Sequence, residues 1–170
     1  PEDGNEICLD IEDRSFWFKH RNDCIVSLVT NFSRQNDFPL FDIGGGNGFV
    51  SLAIQRAGFD VVMVEPGKIG CMNAISRGLR SVICATTNSA HFYNKSLPSI
   101  GLFDVLEHIK EDEQFLMSLK EYLKDDGLIY ITVPSYTMLW SKDDEMAGHY
   151  RRYTLKGIST ILKSTGFDVL

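Results

Sequence analysis

A doubly wound α/β domain, with a mainly parallel sheet and helices on both faces, is the fold class that this chain predicts. Three observations lead to it. Short apolar runs of strand length alternate with stretches of helical periodicity from Pro39 onward. Three of these runs end at a glycine, an acid or a proline: Gly44, Glu65 and Pro134. The first run, Phe41-Asp42-Ile43, leads directly into Gly44-Gly45-Gly46-Asn47-Gly48 and then into an apolar helical pattern. Such alternation builds a parallel sheet whose ligand lies outside the carboxyl ends of the strands.

The elements follow in order. Residues 11–33 read as a helix, because Ile25, Val26, Leu28, Val29 and Phe32 recur at three- and four-residue steps behind Phe16-Trp17-Phe18. Pro39 to Ile43 is a strand, and Phe49, Leu52, Ala53 and Ile54 place the next helix against it until Gly58 ends it. Asp60 to Val64 is the second strand, 68–78 a short helix, and Ser81 to Ala85 the third strand. The polar segment 86–98 reads as irregular, and Ile100 to Val105 as the fourth strand. Phe115, Leu116, Leu119, Tyr122 and Leu123 share one face of a helix from about Lys110. Asp125-Asp126-Gly127 is expected to turn into a fifth strand, Leu128 to Val133, stopped by Pro134. A long loop, 135–153, precedes a helix capped by Thr154, and Phe167 is expected to begin a sixth strand.

The 170 residues suffice for one domain with a real core. No apolar run is long enough to span a membrane, and the net charge of −6 argues against an extended nucleic-acid footprint. Arg151-Arg152 is the one dense basic cluster, either a solvated loop or a substrate contact. Four cysteines, at 8, 24, 71 and 84, show no zinc spacing; Cys71 and Cys84 are expected to be small core residues. A reducing, cytoplasmic setting fits this usage, and no signal peptide is visible. The chain starts at Pro1 without a methionine, so a fragment of a longer protein is expected.

The glycine spacing bears on the ligand. A dinucleotide site uses Gly-x-Gly-x-x-Gly, but counting from Gly44 the third glycine is replaced by Phe49, and the glycines fall at 44, 46 and 48. Asp42 stands just before them, where a carboxylate suits a cationic ligand better than a pyrophosphate. A second acid, Glu65, ends the next strand. This set favours S-adenosylmethionine, with its ammonium and sulfonium, over NAD.

Asp42-x-Gly44-x-Gly46-x-Gly48, Glu65 and Phe103-Asp104-Val105-Leu106-Glu107-His108-Ile109 together resemble the class I S-adenosylmethionine-dependent methyltransferases, from about Trp17 to Val169. The small-molecule branch that includes the ubiquinone-pathway O-methyltransferases is the most similar, also in His149-Tyr150-Arg151-Arg152-Tyr153-Thr154. The resemblance implies a Rossmann-like methyltransferase domain over 38–170 beneath an N-terminal helical lid or cap, 1–37. It implies that Gly44, Gly46 and Gly48 pass under the methionine part of the cofactor, that Asp42 holds its ammonium and that Glu65 takes the ribose hydroxyls. Phe103 and Asp104 are then expected beneath the sulfonium. Where many relatives carry an acid for the adenine amine, this chain has Thr86-Thr87-Asn88, and Thr87 or Asn88 is the candidate acceptor. The family's usual last antiparallel strand is missing, which again suggests truncation.

Each site residue has a plainer reading beside the functional one. Asp42 could serve as a turn residue, and Glu65 as an exposed strand end. Asp104, Glu107 and His108 stand at i, i+3 and i+4, which suits substrate contact, base chemistry, a divalent metal or simple helix capping. No metal is assigned. Trp17, Phe18 and Arg21 suit either a lid over the cofactor or an aromatic dock for the first helix. Tyr150, Arg151 and Tyr153 suit an anionic or aromatic acceptor.

Methyl transfer is an in-line displacement, so alignment and dehydration are the main tasks, and a base is needed only when the acceptor must lose a proton. His149 is expected to be that base, with His108 behind it. Oxygen on a small molecule is the expected acceptor, since the Asn/Asp-Pro-Pro-Tyr segment of base-methylating enzymes is absent after the fourth strand. The product would be S-adenosylhomocysteine. Rival classes are a non-catalytic S-adenosylmethionine-binding or partner module and an NAD-dependent oxidoreductase.

Overall fold

Five parallel strands form one sheet in the order β3-β2-β1-β4-β5. In chain order the computed structural model has α1 (Phe16–Phe32), β1 (Leu40–Ile43), α2 (Phe49–Arg56), β2 (Val61–Val64), α3 (Lys68–Ser76) and β3 (Val82–Ile83). There follow β4 (Leu97–Phe103), α4 (Asp112–Tyr122), β5 (Leu123–Thr132), α5 (Lys142–Ala147) and α6 (Leu155–Ser164). It describes Leu9 and residues 11–170. Residues 1–8 and 10, with Cys8 and the start of the predicted 1–37 segment, lie outside the described residues.

The two-residue period of the strands divides the core into two layers. Leu40, Val61, Met63 and Phe103 face α1, α2 and α3, where Ile25, Val29, Val50, Ile54 and Ala74 meet them. Phe41, Ile43, Val64, Ile100 and Leu102 face the other way, against Leu116 and Leu119 of α4 and Ile158 and Ile161 of α6. Each fully buried Leu or Ile contributes roughly 1.5–3 kcal/mol. The sheet order reverses between β1 and β4, and that switch point opens the crevice expected to receive ligand.

Several boundaries differ from the sequence expectation. The first helical stretch is broken at Ser15 into a helical segment at 11–14 and α1, whose buried stripe is Asn22, Ile25 and Val29. β4 begins at Leu97 rather than Ile100, and all seven of its residues are buried. β5 begins at Leu123; the expected Asp125-Asp126-Gly127 turn is instead a register shift, with Leu97 opposite Leu123 and Ser99 opposite Leu128. The 135–153 segment is no simple loop, since it holds a 3-10 turn, Thr137–Leu139, and α5. The Ser141 hydroxyl oxygen accepts a bond from the Asp143 amide, and the Ser141 amide in turn donates to Asp144 Oδ2, a reciprocal cap. Phe167 does not begin a strand; residues 167–170 have no regular structure, and Phe167 packs into the α4–α6 layer. Cys71 is buried as expected, whereas Cys84, just past the end of β3, is exposed.

Candidate active site

Asp42 sits near the carboxyl end of β1, on the same face as Leu40, and is 1% exposed. Ser51, in the first turn of α2, donates to its Oδ2 at 2.5 Å. Burial pushes the Asp42 carboxyl up to about 6; the Ser51 hydroxyl works against that, the Glu65 charge adds to it and Arg21 opposes it. A carboxylate so enclosed gains from a cationic partner.

The glycine turn lies over this acid. A Cβ on Gly45 would stand 2.4 Å from Met63 Cγ, so packing allows only glycine there. Gly46, at φ +54°, has no such neighbour within 4 Å: its missing side chain leaves open space at the mouth of the turn. Gly44 and Gly48 also have positive φ, as a turn folded back on itself requires. Glu65, just past β2, spans the same space. Its Oε2 accepts the Gly46 amide at 3.0 Å and its Oε1 the Gly67 amide at 2.7 Å.

Asp42 and Gly44 to Gly46 line a cleft of about 150 Å³ together with Glu12, Phe18, Arg21, Phe103 and Asp104, and Glu65 adjoins it through its bond to the Gly46 amide. Arg21 of α1 crosses its mouth and pairs with Asp104 Oδ2 at 2.5 Å, while Thr132 donates to Asp104 Oδ1 at 2.9 Å. Asp104 has φ +57°, a conformation that costs a non-glycine residue on the order of 1 kcal/mol or more. A larger hollow, about 950 Å³, runs along the outer edge of β5 beside α6, but none of the acids or glycines above lines it. Acids, glycines and an ion pair converge in the smaller cleft, which is therefore the candidate site.

A second cluster lies just beyond Asp104. Glu107 is 1% exposed, and its Oε2 has no hydrogen-bond partner among the described residues. Burial raises its carboxyl to about 8, so it is largely protonated at neutral pH. The His108 and His149 rings meet edge to face at 4.6 Å, and burial together with His149 holds His108 below the usual imidazole range. Glu107, His108 and His149 bring one ligand-type atom each within 4.8 Å of one another. Asp104, expected beside Glu107 and His108, is instead engaged by Arg21 and Thr132.

His149 is oriented from behind. Its Nδ1 lies 2.8 Å from Asp144 Oδ1, and Arg152 donates to both oxygens of that carboxylate, at 2.7 and 2.8 Å. The Arg152 bonds hold Asp144 well below the ordinary carboxylate range, so it accepts and the His149 Nδ1–H donates. Sequence reasoning missed Asp144, although the Ser141-x-x-Asp144 cap was a usable signal. It also missed Ser51 and Glu12.

The remaining expected residues are dispersed. Thr87 is nearly buried past the end of β3, and Asn88 beside it is exposed. Trp17 is 66% exposed and does not line the cleft. Tyr150 is exposed, and its amide donates to the Glu107 carbonyl at 2.8 Å. Arg151 pairs with Asp112 at 2.8 Å and donates to the Lys110 carbonyl at 2.5 Å, while the Tyr153 hydroxyl bonds Asp112 at 2.8 Å. Among the described residues no helix is long and apolar enough to cross a membrane.

Comparison with known proteins agrees with this geometry. Residues 17–170 match a family model described as a methyltransferase domain. A ubiquinone biosynthesis O-methyltransferase of Rickettsia prowazekii is 21% identical over 117 residues, covering 66% of this chain and 46% of the relative. One of Haemophilus ducreyi is 29% identical over 109 residues, covering 58% and 46%. The chain thus spans about half the length of these curated relatives. Among solved structures, a possible histamine N-methyltransferase of Thermotoga maritima superposes with a TM-score of 0.70 at 18% identity, covering 94% of this chain and 78% of that one. The cyclase SpnF reaches 0.72 at 18% identity, over 92% and 60%. These likenesses establish the sheet; because a cyclase shares it, the chemistry must be argued from the site.

Proposed function

The chain belongs to the class I S-adenosylmethionine-dependent methyltransferases, and from that premise we propose that it transfers the methyl group of S-adenosylmethionine to an oxygen of a small-molecule acceptor, releasing S-adenosylhomocysteine. One observation carries the reading: a buried acid, Asp42, and a strand-end acid, Glu65, flank the open space beside Gly46. An ammonium, a sulfonium and a ribose diol need this set, whereas a pyrophosphate would face two carboxylates.

Bound S-adenosylmethionine supplies an electrophilic methyl whose leaving group is a neutral thioether. Asp42 holds the amino-acid end. Glu65 exchanges its bond to the Gly46 amide for the ribose hydroxyls. Phe103, 7% exposed, and the Arg21–Asp104 pair close the cleft and exclude water. His149 Nε2 takes the proton of an acceptor hydroxyl, and Asp144 stabilises the imidazolium through Nδ1. Exposed Tyr136, Met138 and Tyr150 around the 135–153 segment suit an aromatic or apolar acceptor. The setting proposed is the cytoplasm, where the thiols stay reduced.

Calorimetric titration with S-adenosylmethionine, S-adenosylhomocysteine and NAD tests the cofactor. The first two are expected to bind, roughly tenfold or more weaker in Glu65→Ala, through lost charge-assisted bonds. Binding of NAD alone, or of none, would overturn the assignment. Tight cofactor binding with no turnover across a screen of hydroxylated acceptors would favour a non-catalytic module. The base is tested on any acceptor the screen yields: full turnover of His149→Ala from pH 6 to 9 would remove that role.

A further inference from the structure

We infer that Cys71 and Cys84 form an oxidisable dithiol, a modification site at which peroxide closes a disulfide across the β2–α3 turn and loosens the ligand that Glu65 holds. The loosening rests on the proposed cofactor site; the dithiol does not.

The two sulfurs approach the same turn from different elements. Cys71, in the first turn of α3, donates to the Glu65 carbonyl at 3.2 Å. Cys84, just past the end of β3, donates to the next carbonyl, that of Pro66, at 3.9 Å. Cys84 also bears on the Cys71 thiol electrostatically, helping to hold its proton. β3 keeps Cys84 in place, because the Ile83 carbonyl accepts the Glu65 amide at 3.0 Å and the Ala85 amide donates to the Glu65 carbonyl at 3.1 Å. A pair from two elements, meeting at consecutive carbonyls, has the proximity that exchange chemistry needs.

Their environments divide the labour. Cys84 is exposed and meets the oxidant first; Cys71 is 4% exposed, and burial together with Cys84 pushes its thiol up to about 12. In the first step the Cys84 thiolate attacks one oxygen of hydrogen peroxide, the O–O bond breaks, and the departing hydroxide takes up a proton to leave as water. Cys84 is then a sulfenic acid. The Cys71 sulfur attacks the Cys84 sulfur, the S–O bond breaks, and a second water leaves with the Cys71 proton. Two thiols and one peroxide thus give one disulfide and two waters.

Closure brings the sulfurs to roughly 2.05 Å and removes the Cys71 bond to the Glu65 carbonyl. The turn that must absorb this movement carries the Glu65 carboxylate and its 2.7 Å bond to the Gly67 amide. Displacement there misaligns the acceptor for the ribose.

The test treats the reduced full chain with hydrogen peroxide at neutral pH, maps its peptides without reductant, and then titrates it with S-adenosylmethionine. Expected are a Cys71–Cys84 crosslink, absent in Cys84→Ala, and affinity weakened about fivefold or more, restored by dithiothreitol. Cys84 found oxidised to sulfinic acid with no crosslink would overturn the dithiol. A crosslink with unchanged affinity would overturn the loosening. Should the reduced chain fail to bind at all, the cofactor reading falls with the loosening, while the peptide map still decides the dithiol.

Discussion

At the residue scale, adjacent glycines are needed for different reasons, and substitution separates them. Gly45→Ala drives a methyl group into Met63, inside the core layer, and is expected to cost roughly 1–3 kcal/mol of stability. Gly46→Ala meets no atom within 4 Å and pays only for its left-handed φ, on the order of 1 kcal/mol. Its new methyl nevertheless fills the space beside Glu65. A modest loss in Tm with cofactor binding abolished is therefore expected for Gly46→Ala; retained affinity would show that the ligand passes elsewhere. Asp42 adds a pH dependence. With its carboxyl raised to about 6 in the free protein, an acid medium protonates it before ligand arrives. Affinity for S-adenosylmethionine should fall as pH drops from 7 to 5, and the slope should vanish in Asp42→Asn. A wild-type affinity that stays flat over that range would remove Asp42 from the ammonium.

At the scale of elements, α1 is both core and cover. Ile25 and Val29 anchor it to the sheet, while Arg21 reaches across the cleft to Asp104. Arg21→Met should keep the anchor, and because the ion pair is partly exposed, stability should change by only about 1 kcal/mol. Stopped-flow release of S-adenosylhomocysteine should accelerate severalfold; an unchanged rate would leave α1 as packing alone. Elements of this kind were legible in the sequence where period and punctuation agreed, as in the β1–glycine–α2 unit. β4 was misread at its start because Pro98 argues against a strand; the register shift between Leu97 and Ser99 is what accommodates it there. α5 escaped because Met138 to Met146 carries no apolar period, and only its cap betrays it. Asp42 and Glu65 were legible because strand ends are fixed by the pattern. The Asp144–His149 pair was not, since it forms across the left-handed turn at Gly148.

For the whole molecule, the buried acids predict how stability varies with pH. Asp42 and Glu107 have folded-state values above their unfolded ones: 3.8 rises to about 6, and 4.5 to about 8. Folding therefore favours their protonated forms. Their contribution is complete below the unfolded values and is lost as pH rises through about 6 and then about 8. Asp144 has the opposite sign. Its folded value lies below 3.8, so its contribution is present above that and disappears as pH falls further. The two trends bound a maximum well on the acid side of neutrality, near about pH 4, with stability declining toward pH 8. Glu107 dominates the alkaline limb, because its Oε2 is buried with no hydrogen-bond partner among the described residues, so an ionised carboxylate there is poorly compensated. Glu107→Gln keeps the shape without the charge. Thermal melts from pH 4 to 9 should show the variant nearly flat between pH 6 and 8.5, and more stable than the parent at the upper end by about 1 kcal/mol or more. A parent profile that rises into alkali, or a variant that follows the parent throughout, would mean that Glu107 is ionised in the folded chain and paired with a cation.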